Sequence, residues 1–168
     1  MPQPKPSRRK FALLIDADPG SRELLRPLLS PILEVIQSRT GASGLDLLQR
    51  VPDRFGLAIV SLALPGLPGT VVIDTIRLFR PAIPVVCLSD SLDVLPASGP
   101  CLPKHGALTE LRAQLTGVLT NAGPAWSSPA ASLAAVEHAR AAYELSGDLT
   151  AAARELARGM PRDPAGGA

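Results

Sequence analysis

Asp16, Asp18, Ser61, Ser89 and Lys104 carry the side chains with the most chemistry to offer, and each follows a short apolar run. Two carboxylates, two hydroxyls and an ammonium gathered in one place could hold a divalent cation or a phosphoryl group. Hard cations need anionic oxygens, and phosphoryl oxygens need cations and hydroxyl donors. The same residue types cap helices wherever a strand runs into a helix, and spacing alone does not separate the two roles. No nucleophile with an adjacent base is readable, so an enzyme is not expected. Cys87 and Cys101, the two cysteines, are too few for a disulfide framework or a zinc set. Cys87 is expected mid-strand as a small core hydrophobe and Cys101 partly exposed; without a CxxC spacing, a redox pair is the lesser reading. His105 is expected in a loop, and neither histidine has a ligand partner at metal spacing, so no cofactor is expected.

Whether the five polar residues can meet depends on the elements that carry them. Apolar runs alternate with amphipathic segments from Phe11 to Leu119, the pattern of a parallel sheet covered by helices. Strands are predicted at Phe11–Ile15, Leu33–Ile36, Leu57–Val60, Ile83–Leu88 and Cys101–Pro103. Helices are predicted at Ser21–Leu29, with Ser21 as cap and Pro27 forcing a kink or an early end, at Ala42–Arg50 and at Thr70–Phe79. A last helix is marked by Leu108, Leu111, Leu115, Val118 and Leu119. Pro96, Gly99 and Pro100 leave room for little more than one helical turn between Ser89 and Cys101. In such a doubly wound α/β sheet the strand C-termini share one edge, where ligands bind, and all five residues fall on it.

The composition, 46% hydrophobic with a net charge of +2, is that of a chain that packs a core rather than a disordered one. The apolar stretch from Phe55 to Ile73 is broken by Pro65-Gly66-Leu67-Pro68-Gly69, so it is no membrane span. The apolar run after the basic start is too short for a secretory signal, and a cytoplasmic location follows. Residues 1–10 carry Lys5, Arg8, Arg9 and Lys10 with no acid, and the whole positive excess sits in this arm. Such an arm can touch phosphates or acidic surfaces, or simply keep the chain soluble, the commoner role for so short a run. The expected organisation is a flexible arm at 1–10, a main domain at 11–122, a linker at 123–132, and a helical hairpin at 133–168.

Phe11-Ala-Leu-Leu-Ile-Asp16-Ala17-Asp18, Leu57-Ala-Ile-Val-Ser61-Leu-Ala-Leu-Pro65-Gly-Leu-Pro-Gly69, Ile83-Pro-Val-Val-Cys-Leu-Ser89 and Cys101-Leu-Pro-Lys104 resemble, in order, the signatures of the response-regulator receiver domain. The resemblance covers about Lys10 to Ala122 and implies a flavodoxin-like, five-stranded α/β fold. In that family an acidic pair and a strand-three Asp bind magnesium, the strand-three Asp takes a phosphoryl group, and a hydroxyl residue and a Lys contact it. Asp16 matches the first acid, Ser89 the hydroxyl and Lys104 the lysine, but Ala17 stands at the second acid and Ser61 at the phosphoacceptor. Asp18 is an alternative ligand that points differently, Cys101 replaces an aromatic residue, and His105 replaces a proline. A serine gives no acyl phosphate and little magnesium affinity, so Lys104 is expected to pair with Asp16 instead.

Glu137-His138, Arg140, Tyr143-Glu-Leu145, Leu149-Thr150, Ala153-Arg154, Leu156, Met160 and Arg162 resemble the Fis-type helix-turn-helix output domain of redox and photosynthesis response regulators. Its first two helices have counterparts, whereas Pro161-Arg-Asp-Pro164-Ala-Gly-Gly-Ala168 cannot build the continuous recognition helix that DNA reading needs. The expected function is therefore a phosphorylation-independent regulator working through a protein partner: a sensor kinase, another regulator or a second copy. The alternative is a divergent DNA-binding transcriptional regulator, with Arg8, Arg9, Lys10, Arg154, Arg158 and Arg162 as candidate contacts to DNA or partner.

Overall fold

The computed structural model describes residues 10–31, 33–90, 101–104, 108–120 and 132–160. The apolar runs form five strands: β1 (Phe11–Ile15), β2 (Glu34–Ser38), β3 (Phe55–Ser61), β4 (Val85–Ser89) and β5 (Cys101–Pro103). They make one sheet in the order β2-β1-β3-β4-β5, and every pair is parallel. The connecting helices are α1 (Pro19–Leu29), α2 (Gly41–Arg50), α3 (Gly69–Phe79) and α4 (Leu108–Thr120), followed by α5 (Leu133–Ser146) and α6 (Leu149–Gly159).

Because successive strand side chains point to opposite faces, two cores form. Leu13, Ile15, Ala58 and Val60 pack with Leu45 and Leu48 of α2 and Val72 and Ile76 of α3. Ala12, Leu14, Leu57 and Ile59 pack with Leu25 and Leu29 of α1 and Leu111 and Leu115 of α4. Burial on both faces explains why β1 and β3 are continuous apolar runs rather than alternating ones.

Several boundaries depart from the sequence expectation, among them β3, which runs two residues earlier and one later than its apolar run. Edge strand β2 runs to Ser38 instead of Ile36, because the ladder with β1 carries it past the apolar run and ends with the Asp16 N–H donating to the Ser38 carbonyl at 3.0 Å. Strand β4 starts at Val85, after Pro84, which has no N–H to give to a ladder. Helix α1 starts at Pro19 and is capped by Asp18, not Ser21: the Asp18 carboxylate accepts from the N–H groups of Gly20 and Ser21. Pro27 neither ends α1 nor stops its last turn, where the Ser30 N–H still donates to the Arg26 carbonyl. At the foot of α3, a Cβ on Gly69 would run into the Ser61 carbonyl, so only glycine lets the helix start this close to the end of β3.

The C-terminal helices pack on the main domain. Gly147 ends α5 in the left-handed conformation (φ 64°), and Asp148 caps α6. The inner face of α6 buries Leu149, Ala152, Ala153 and Leu156 in the core shared with α2 and α3. Polar contacts fix the seat: the Leu149 N–H donates to Gln49 Oε1 at 2.7 Å, and the Arg80 guanidinium donates to the Tyr143 hydroxyl at 3.1 Å. The Tyr143 ring lies 4.7 Å from that of Phe79. Leu145, in contrast, is 90% exposed and takes no part in this core. Among the described residues no helix is long and apolar enough to cross a membrane. The arm to Arg9, most of the stretch between Ser89 and Cys101, His105, the linker except Ser132, and Pro161–Ala168 with Arg162 lie outside the described residues.

Candidate functional site

The parallel order brings the C-terminal ends of β1, β3, β4 and β5 to one edge, and with them Asp16, Ser61, Ser89 and Lys104. All four are buried. Asp16 follows β1 directly, its backbone held by the bond to Ser38. Lys104 follows β5, its N–H donating to the Ser89 carbonyl at 2.9 Å, so the edge of the sheet itself aims the side chain across the strand ends. The Lys104 Nζ donates to Asp16 Oδ1 at 3.1 Å, with 4% of the lysine side chain and none of the aspartate side chain exposed. Asp16 Oδ1 also accepts the Asp18 N–H at 3.0 Å. Asp16 Oδ2 and Ser61 Oγ are buried without a hydrogen-bond partner.

Asp18 does not join this group. Its carboxylate is exposed and turned to α1, accepting from the Ser21 hydroxyl at 2.8 Å and from the Gly20 and Ser21 amides. The Ser21 hydroxyl, then these amides, hold the Asp18 carboxyl below its ordinary range, and Lys104 adds a smaller pull. Sequence reasoning missed Arg22, a buried residue of α1 whose Nη1 donates to the carbonyls of Asp16 at 2.6 Å and Ala17 at 3.2 Å. It pins the loop that presents Asp16; its only sequence signal is a place three residues before the buried Leu25.

A magnesium ion, which the receiver resemblance implies, does not fit this donor set. Mg2+ needs a near-octahedral shell built on carboxylates. Asp16 is already neutralised by Lys104, exposed Ala17 has no side-chain oxygen, Asp18 is spent on the helix, and Ser61 supplies only an uncharged hydroxyl.

The described candidate contact cations are carried by other elements. Lys10 is exposed just before β1, at the opposite end of that strand from Asp16, while Arg154 and Arg158 are exposed on α6. Arg158 pairs with Glu155 at 2.6 Å. Arg8, Arg9 and Arg162 lie outside the described residues. The structure also brings Cys87 and Cys101 together, which their spacing did not suggest: they are register partners on β4 and β5.

No family model matches the chain, and no curated protein matches it. Solved structures do. A receiver domain of an HD domain-containing protein from Pseudomonas fluorescens is 21% identical, with a TM-score of 0.59 over 71% of this chain and 93% of that one. A CheY-like response regulator receiver domain from Methanospirillum hungatei is 22% identical, with a TM-score of 0.58 over 67% and 94%. A response regulator from Thermotoga maritima, solved with Mg2+–BeF, is 21% identical, with a TM-score of 0.56 over 65% and 98%. At these identities the likeness is one of fold: the chain has the five-stranded receiver fold, followed by a helical C-terminal part.

Proposed function

We propose that this chain is a pseudo-receiver: a cytoplasmic regulator of two-component type that signals through protein contact, without aspartyl phosphorylation and without catalysis of its own. The observation that carries this is Ser61, buried at the end of β3 beside an Asp16–Lys104 pair that is already closed. A phosphoryl group on serine would be an ester, not the acyl phosphate whose transfer from aspartate drives a phosphorelay. Lys104, which would otherwise be available to an incoming phosphoryl oxygen, instead has its charge satisfied by Asp16. The site is thereby fixed in one state, and the partner would recognise a constant surface rather than a switched one. That partner is a sensor kinase, another regulator or a second copy of the chain.

Protein contact is favoured over DNA binding by the seating of the hairpin. The apolar face of α6 is spent on α2 and α3, and Arg158 is engaged by Glu155. A helix held in this way is less available as one member of an independent DNA-binding unit.

Backbone amide NMR of the full chain, titrated with Mg2+ and then beryllofluoride, tests the proposal. A pseudo-receiver shows no saturable shifts at Asp16, Ser61, Ser89 and Lys104. Saturable shifts confined to those residues would mean that the edge still binds metal and a phosphoryl mimic.

A further inference from the structure

We infer that Cys87 and Cys101 form a peroxide-oxidisable dithiol that closes to a disulfide across β4 and β5. The two residues are direct partners in the parallel register, and their sulfurs lie 2.6 Å apart as free thiols. Adjacent strands run about 4.8 Å apart, inside the Cα separation a disulfide accepts, so the S–S bond of about 2.05 Å closes with a small side-chain movement. Both side chains lie on the α3 face of the sheet. The Arg77 guanidinium acts electrostatically on Cys87 from α3, and its Nη2 is held there by the Val85 carbonyl at 3.2 Å.

The two thiols differ in a way that divides the work. Cys87 is buried and Cys101 only partly so. The hydrogen bond the two sulfurs share, in which either can donate, and the deeper burial of Cys87 hold the Cys87 thiol up and leave Cys101 the more accessible and more acidic of the two. Cys101 is therefore the attacking thiolate and Cys87 the resolving thiol.

A hydroperoxide is the oxidant. The Cys101 thiolate attacks one peroxide oxygen, the O–O bond breaks, and a sulfenic acid forms while hydroxide leaves and takes up the proton lost by Cys101. The Cys87 sulfur then attacks the Cys101 sulfur, the S–O bond breaks, and the proton of Cys87 leaves with that hydroxyl as a second water. Two thiols lose two electrons, and hydrogen peroxide is reduced to two waters. The bond ties the three-residue edge strand β5 to β4 and fixes the strand that leads into Lys104.

Intact mass after graded hydrogen peroxide treatment of the full chain tests this. The expected product has lost two hydrogen masses and both titratable thiols, stays monomeric, and reverts with dithiothreitol. Digestion with an Asp-specific protease, which cuts at Asp90 and Asp93 between the cysteines, should leave the two fragments joined until reduced. In C87S, Cys101 should accumulate a dimedone-reactive sulfenic acid; in C101S, Cys87 should stay reduced at the same dose. Thiols that survive in the native chain, oxygen adducts without linkage, or disulfide dimers would overturn the proposal. A C101S chain oxidised as fast as the native one would overturn the assignment of the attacking sulfur.

Discussion

The Lys104 ammonium and the Asp16 carboxylate, 88 residues apart in the chain, meet at 3.1 Å in a buried pair that spans the strand ends from β5 to β1. Two charges taken out of water cost several kcal/mol each, and their attraction offsets this only while both remain. The pair is thus a lock: weak as a net source of stability, but severe when half-removed.

Lys104→Ala should therefore destabilise the chain by about 3–5 kcal/mol, because it leaves Asp16 buried and unpaired. The double variant Asp16→Asn, Lys104→Met should recover most of that loss, since a neutral Asn can still accept the Asp18 N–H and Met fills the lysine's path. Urea titrations of Lys104→Ala, of the single variants Asp16→Asn and Lys104→Met and of the double variant measure it. A double variant as unstable as the sum of its parts would show that the pair is not coupled.

Asp18 gives a pH signature of a different kind. Its folded-state carboxyl lies below the ordinary value of 3.8, so its contribution is fully present above that value and is lost as pH falls through the lowered folded-state value. Asp18→Asn keeps an oxygen for the amides of α1 but removes the titration. Stability curves of the native and Asn chains should run parallel at neutral pH and converge toward acid. Curves that stay parallel down to the acid limit would show that the cap is not ionic.

The hairpin should behave as part of one folding unit. Leu156→Ala empties a buried position beneath α6 and should cost about 2–5 kcal/mol. Denaturation followed by circular dichroism tests this; a loss below about 0.5 kcal/mol, the scale of a surface substitution, would mean that α6 is not seated on the domain.

Much of this was legible in the residues, and the failures have physical causes. The run Phe11–Ile15 reads correctly to both ends because it is buried on both faces and stops at a charged residue. The end of β2 does not, because Gln37 and Ser38 are held by the ladder with β1 and not by their own apolarity. Asp18 is ambiguous in sequence between ligand and cap, and only the direction of its carboxylate decides. Arg22 and the Cys87–Cys101 pair depend on tertiary register, which no local spacing reports. The seat of α6 is set by residues of α2 and α3 remote from it in the chain, so no spacing within the hairpin reports it.

DNA affinity, if measured by gel shift across a salt series, should be weak, insensitive to sequence and lost uniformly as salt rises. That is the behaviour of cations meeting phosphates without base contacts. Retention that persists at moderate salt on one duplex and not on others would restore the transcription-factor alternative.

Phosphoryl transfer tests the central claim most directly. The full chain, incubated with acetyl phosphate and magnesium or with a phosphorylated sensor kinase, should keep its unmodified intact mass. A phosphoryl adduct stable to acid and alkaline hydroxylamine would mark a serine ester, and would argue for Ser61 as the target of a different kinase. An adduct released by hydroxylamine, the signature of an aspartyl phosphate, would contradict the account.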